Sequence, residues 1–178
     1  MTFVLILIAI IIVVVAFKFN VLLGIAATAL IAGYGIYRII PSYYTMMGNK
    51  AFQIGDEKTA RIWYKKAYDT GRTKITFKIN YAYLLLRLGE ADEAEKVLDP
   101  IIRVKSLPMA KKYPAKQQRC MVYYKQGRLD EAIEDAQSMM DEGFRTTQLC
   151  GMLGYFKLLR NDPVDEVTAF CEEAYEYN

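Results

Sequence analysis

The stretch GNKAFQIGDEKTARIWYKKAYDTG, Gly48 to Gly71, decides how the rest of the chain is read. Gly48 and Gly55 stand seven residues apart, Ala60 follows five later, and Tyr64 and Ala67 complete the series. Moved 34 residues along, the series returns. Gly55-Asp56 becomes Gly89-Glu90, Ala60 becomes Ala94, Gly48 becomes Ala82, Phe52 becomes Leu86 and Tyr64 becomes Leu98. A third copy carries Gly127-Arg128 and Ala132, but lies 38 residues on from the second. The four extra residues are expected in VKSLPMAKKYPA, which holds two prolines. A fourth, weaker copy has Gly154 and Asn161 seven apart, then DPVDE, with one extra residue in the loop. A period in this range marks stacked supersecondary units.

Each copy reads as two helices around a turn. Met46 to Ile54 is expected as the first helix, and Gly55 stops it, since glycine takes the left-handed cap at little cost. Asp56 then caps a helix running to about Thr70. In the fourth copy Asp162 is expected as N-cap with Pro163 at the first helical position. The repeated alanines mark where two helices touch.

These residues resemble the tetratricopeptide repeat family, whose period is 34 and whose marks are a small residue, an aromatic, an alanine, an aromatic and a second alanine. Gly48-Asn49, Phe52, Gly55-Asp56, Ala60, Tyr64 and Ala67 match that order. Tyr44 and Lys78 stand where the family often has tryptophan, and Arg72 stands where it has a closing proline. The resemblance implies an all-α fold over residues 42–178, with repeats at about 42–72, 74–104, 113–140 and 147–178, three of them clear and one degenerate.

Ahead of the repeats lie two apolar runs, Thr2 to Phe17 and Val21 to Tyr37, separated by Lys18, Phe19 and Asn20. No charge precedes the first run and AFKFN is a poor cleavage site, so a retained membrane segment is expected over residues 1–40 rather than a signal peptide. Each run spans roughly 24 Å as a helix, a little less than a bilayer core of about 30 Å. The second run carries Gly24, Thr28, Ala32 and Gly35 at helical steps on one face, a small-residue stripe of the kind that packs helices in lipid. The expectation is a transmembrane helical hairpin, turning at Lys18–Asn20, with the stripe against the first helix. A single broken helix or an interfacial pair is the alternative. A hairpin puts Arg38, Lys50 and the repeat domain on one side and Lys18 on the other, which places the domain in the cytoplasm by the positive-inside rule.

Charge is divided along the chain. Pro41 to Arg128 holds 18 Lys/Arg against 8 Asp/Glu, and Leu129 to Asn178 holds 3 against 12. The half nearest the apolar runs is basic, which fits attraction to anionic lipid. Cys120, Cys150 and Cys171 form no paired motif and read as buried small apolar residues. There is no histidine, so the commonest general base and a completed zinc site are both missing. The acidic pairs Asp130-Glu131 and Glu172-Glu173 fall on helix surfaces, where neighbours diverge by about 100°. No enzyme, metal or cofactor is expected. No RNA motif accompanies the basic half, and nucleic acid is not expected as a partner.

The family binds peptides in a concave groove lined by the first helix of each repeat. The resemblance therefore implies a groove of Asn49, Phe52 and Gln53, then Tyr83, Leu86 and Arg87, then Met121, Tyr124 and Lys125, then Tyr155 and Leu158. Some of these can equally pack against neighbouring helices. A subfamily grips a C-terminal carboxylate with lysines, asparagines and an arginine. Asn49 and Asn80 stand at the asparagine positions, but Thr45, Pro114 and Gln118 replace the cations, so that clamp is not expected. The sequence thus points to a membrane-tethered scaffold binding a protein or peptide. The other reading is a subunit of a membrane complex whose hairpin also packs against partner helices. The last helix, with Phe170, Ala174 and Tyr177 inward and Glu172, Glu173 and Glu176 outward, either caps the array or pairs with a second copy.

Overall fold

The computed structural model describes residues 2–176, apart from the side chains at 2, 3, 5, 174 and 176. The expectations for Ala174, Glu176 and Tyr177 therefore lie outside the described residues. Helices α1 (Thr2–Phe19) and α2 (Val21–Gln53) come first, then α3 (Glu57–Asp69), α4 (Ile75–Arg87), α5 (Ala91–Ile102), α6 (Met109–Lys125), α7 (Leu129–Asp141), α8 (Thr147–Leu159) and α9 (Val164–Glu176). The end of α2 pairs with α3, α4 with α5, α6 with α7 and α8 with α9, and successive pairs stack.

The opening stretch explains the first pair. A Cβ on Gly48 would lie 2.1 Å from the Tyr64 ring, so only glycine lets α2 and α3 approach this closely. The Tyr64 hydroxyl donates to Asn49 Oδ1 at 2.6 Å across the same crossing. The equivalent positions Ala82, Cys120 and Gly154 are all buried, as are Ala60, Ala94 and Ala132. Gly55, Gly89 and Gly127 have φ near +80°, and Asn161 takes the same left-handed role in the fourth pair with φ 64°. Asp56 caps α3, its carboxylate accepting from the Thr59 amide at 3.0 Å.

Several boundaries differ from the expectation. The helix expected over Met46–Ile54 is the end of α2, which runs unbroken from Val21 through Pro41. The four extra residues of the third repeat lengthen its first helix rather than its loop. That helix starts at Met109, ahead of 113, and is 17 residues long against 13 for α4. Pro114 is tolerated inside it because only one helical hydrogen bond is lost. Asp162 is not the N-cap of α9. The Pro163 carbonyl accepts from the Val167 amide, and the Asp162 carboxylate is taken by Arg160 at 2.6 and 2.7 Å. With that shift Val167, 7% exposed, fills the place that Ala60 and Ala94 hold. Cys120 and Cys150 are buried, but Cys171 is exposed because α9 is the last helix of the stack.

The helices α1 and α2 do pack on each other. Asn20 caps α2 through the Leu22 amide at 2.8 Å, and Lys18 and Phe19 belong to α1. The contact face differs in part from the stripe. Gly24 is buried, and a Cβ there would meet the Phe17 ring at 2.4 Å. Ala27, Ile31 and Gly35 continue that face toward Ala9, Val13 and Ala16 of α1, whereas Thr28 and Ala32 are exposed. A helix turns 100° per residue, so the 24–27–31–35 series tracks α1 more closely than 24–28–32. Large apolar side chains on both helices, among them Ile10, Val14, Leu22, Leu30 and Ile36, are more than half exposed.

Candidate functional site

The groove residues fall into two clusters on the first helices of the repeats. At α2 and α4, Asn49, Phe52, Gln53 and Tyr83 line one depression of about 360 Å³, together with Tyr64 and Asn80. The Phe52 and Tyr83 rings meet edge to face at 6.3 Å between centroids. The Arg87 guanidinium lies 5.8 Å over the Phe52 ring and pairs with Glu57 of α3 at 2.6 Å. Arg87 thereby frames the depression and fastens it to the second helix of repeat one. Asn49 is committed to Tyr64, which leaves Gln53 as the freer amide.

At α6 and α8, Tyr124 and Tyr155 approach edge to face with their hydroxyls 3.2 Å apart. That contact raises the Tyr155 hydroxyl pKa above the ordinary value. Tyr124 also stacks on the buried Phe156, and Lys125 lies 5.8 Å from the Tyr124 ring. Tyr155 and Leu158 are about half exposed. Leu86 and Met121 are partly buried and pack against the core, as Phe52 and Tyr124 do, so these four side chains also serve helix packing. The candidate groove is thus aromatic at two places, and at the second Tyr124 rests on the buried Phe156.

A second cavity, of about 670 Å³, lies where α2 meets the loop between α3 and α4. Arg38, Lys50, Arg72 and Lys74 line it, together with Thr73 and Asn49, and no carboxylate does. Arg72 figured in the sequence only as a departure from the family's closing proline, and Lys74 as one cation among many.

Ionic groups elsewhere hold the repeats together. Arg119 of α6 makes a two-pronged bond to Asp135 at 2.7 and 2.8 Å and reaches Asp99 of α5 at 3.2 Å. Lys116 is buried and donates to Ser138 Oγ and to Glu142 at 3.1 Å. The Lys116 ammonium holds the Glu142 carboxyl below its ordinary range. Glu173, expected in water, is paired with Arg145 of the preceding loop. These side chains are consumed by mutual pairing. Among the described residues no group of three His, Cys, Asp or Glu is placed to hold a metal ion.

The arrangement defines a class of fold: an all-helical repeat array of the tetratricopeptide-like kind. Solved structures share it, among them two MamA structures. The chain matches the MamA RS-1 ArsTM double mutant with a TM-score of 0.66 at 18% identity, over 77% of this chain and 74% of that one. It matches MamA 41-end from Desulfovibrio magneticus RS-1 with a TM-score of 0.66 at 17% identity, over 77% and 75%. No family model matches the sequence, and no curated protein does. Among the described residues α2 is the one helix long and apolar enough to cross a membrane, with a shorter apolar helix at Ile6–Phe19.

Proposed function

We propose that the chain is a membrane-tethered protein-interaction scaffold. The apolar part of α2, with α1 packed on it, enters the bilayer, and the repeat array on the cytoplasmic side presents its groove to a protein or peptide. The observation that carries the tether is the exposure of large aliphatic side chains on both helices, from Val4 to Val15 on α1 and from Val21 to Ile36 on α2 among the described side chains. A soluble protein rarely leaves so large an apolar surface in water. The paired aromatic clusters at Phe52/Tyr83 and Tyr124/Tyr155 support a partner with hydrophobic anchors. The likeness to the MamA structures supports the helical repeat fold on which this reading rests.

A photo-cross-linking residue in place of Tyr83, Tyr155 or Leu158 tests the groove, with exposed Ile62 of α3 as the comparison. One adduct of common mass from the groove positions and none from Ile62 is expected. An adduct from Ile62 alone would overturn the groove reading.

The second reading, a subunit of a membrane assembly, is favoured by Thr28 and Ala32. Both are small and exposed on the part of α2 that α1 does not cover. Exchanging both for leucine leaves the Gly24–Phe17 contact intact. Loss of a stoichiometric membrane partner in detergent would select this reading, and retention of every partner would sink it.

A further inference from the structure

We infer that the cavity between α2 and the α3–α4 loop binds the phosphate of an anionic phospholipid headgroup. The inference rests on the membrane reading above. Four cations converge on one concave site: Arg38 and Lys50 from α2, Arg72 and Lys74 from the loop. No carboxylate among the lining residues neutralises them. Elsewhere in the array the arginines are matched, as Arg119 is by Asp135 and Asp99, Arg128 by Glu95 and Glu131, and Arg160 by Asp130 and Asp162. A cluster left unmatched in a protein that pairs its arginines so consistently calls for an anion from outside.

Two further features point the same way. Thr73 Oγ1, in the cavity wall, is buried and has no hydrogen-bond partner among the described residues. A buried hydroxyl without a partner is destabilising, and a turn about the Thr73 Cα–Cβ bond would let it donate to a phosphate oxygen in the cavity. The cavity also meets the start of α4. Its N-cap, Lys74, makes no capping hydrogen bond, so the first-turn amides up to Phe77 remain available at the positive end of the helix.

Position selects the source of the anion. Arg38 is the first charge after the apolar run that ends at Tyr37, so the cavity opens where that run leaves the hydrocarbon. A headgroup phosphate lies at that level, and the volume of about 670 Å³ admits a glycerophosphate rather than a bare ion alone. Arg72 is already held by a hydrogen bond to the Tyr37 carbonyl and by stacking on the Tyr37 ring, which pre-orders one wall.

The test uses the full chain in an uncharged detergent, titrated with dioctanoyl phosphatidylglycerol, dioctanoyl phosphatidylcholine and inorganic phosphate. Melting temperature and calorimetry are the readouts. Phosphatidylglycerol should bind saturably and raise the melting temperature, and phosphatidylcholine should not. The pair Lys50→Gln with Lys74→Gln should weaken binding about tenfold or more, at roughly 1 kcal/mol per cation near a lipid surface. The pair Lys58→Gln with Lys111→Gln, exposed and outside the cavity, should leave it unchanged. Equal weakening by both pairs would mean diffuse attraction and overturn the site. Inorganic phosphate binding as tightly as the lipid would overturn the headgroup assignment. Carbonate extraction of membranes separates this from the membrane reading. A chain released by carbonate that still binds the lipid at the cavity fails only the membrane reading, and a retained chain indifferent to the lipid fails only the cavity.

Discussion

Arg72 Nη1 donates a hydrogen bond to the backbone carbonyl of Tyr37, 35 residues earlier, and its guanidinium stacks 3.4 Å over the Tyr37 ring. The reason lies in Pro41. In an α-helix the carbonyl of residue 37 accepts from the amide of residue 41, and proline has no N–H to give. Arg72, from the loop that closes repeat one, supplies the donor. This contact fastens the loop that closes repeat one to the apolar part of α2, in addition to the packing of the end of α2 on α3.

The contact predicts a coupling. Arg72→Ala should destabilise the chain by about 1.5 kcal/mol, the low end of the range for a hydrogen bond to a charged group, because the contact is exposed. In a Pro41→Ala background residue 41 recovers its amide, so the same change should cost clearly less. A double-mutant cycle by chemical denaturation measures the difference, and equal effects in both backgrounds would refute the explanation.

Gly48→Ala places a methyl group against the Tyr64 ring at a spacing real side chains do not reach. Overpacking of this kind costs about 1–3 kcal/mol. A Gly55→Ala change is strained for a different reason, its φ of +80°, with open space around it. Tyr64→Ala should relieve the first variant and leave the second untouched, which thermal melts can read.

Asp135→Ala removes the two-pronged partner of Arg119 and leaves a mostly buried guanidinium with only Asp99. Breaking such a pair from one side costs about 3–5 kcal/mol. Exchanging both residues for apolar ones should cost much less than the single change.

Alkaline pH should destabilise the array through its buried tyrosines. Burial pushes the Tyr81 hydroxyl up to about 12 from an ordinary 10.0, with nearby Arg61 opposing the shift only in part. The folded state then holds a proton that the unfolded state has released. The associated stability is complete below pH 10 and is lost as pH rises toward 12. It is on the order of 2 kcal/mol for this group. Tyr81→Phe should remove that part of the alkaline slope, and an unchanged slope would contradict it.

The stacked pairs were legible from residue spacing because close helix crossings select small side chains at a fixed period. Gly48 meets Tyr64, and Asn161 stands in for glycine where φ is positive. The aromatic pairs of the groove were legible as positions but not as contacts, which set Phe52 against Tyr83 and Tyr124 against Tyr155. The cation-lined cavity was not legible. It exists only because α2 continues unbroken past Pro41, which brings Arg38 and Lys50 alongside Arg72 and Lys74. A proline after an apolar run reads locally as a break. Its tolerance depends on an arginine 31 residues further on.

The tether is tested most directly by alkaline carbonate extraction of membranes carrying the full chain, followed by protease treatment from each face. The chain should remain in the washed membranes, and the repeat domain from Ser42 onward should be cleaved only when the cytoplasmic face is open to protease. Release by carbonate, or cleavage from the opposite face, would contradict a scaffold anchored through α1 and α2 on the cytoplasmic side.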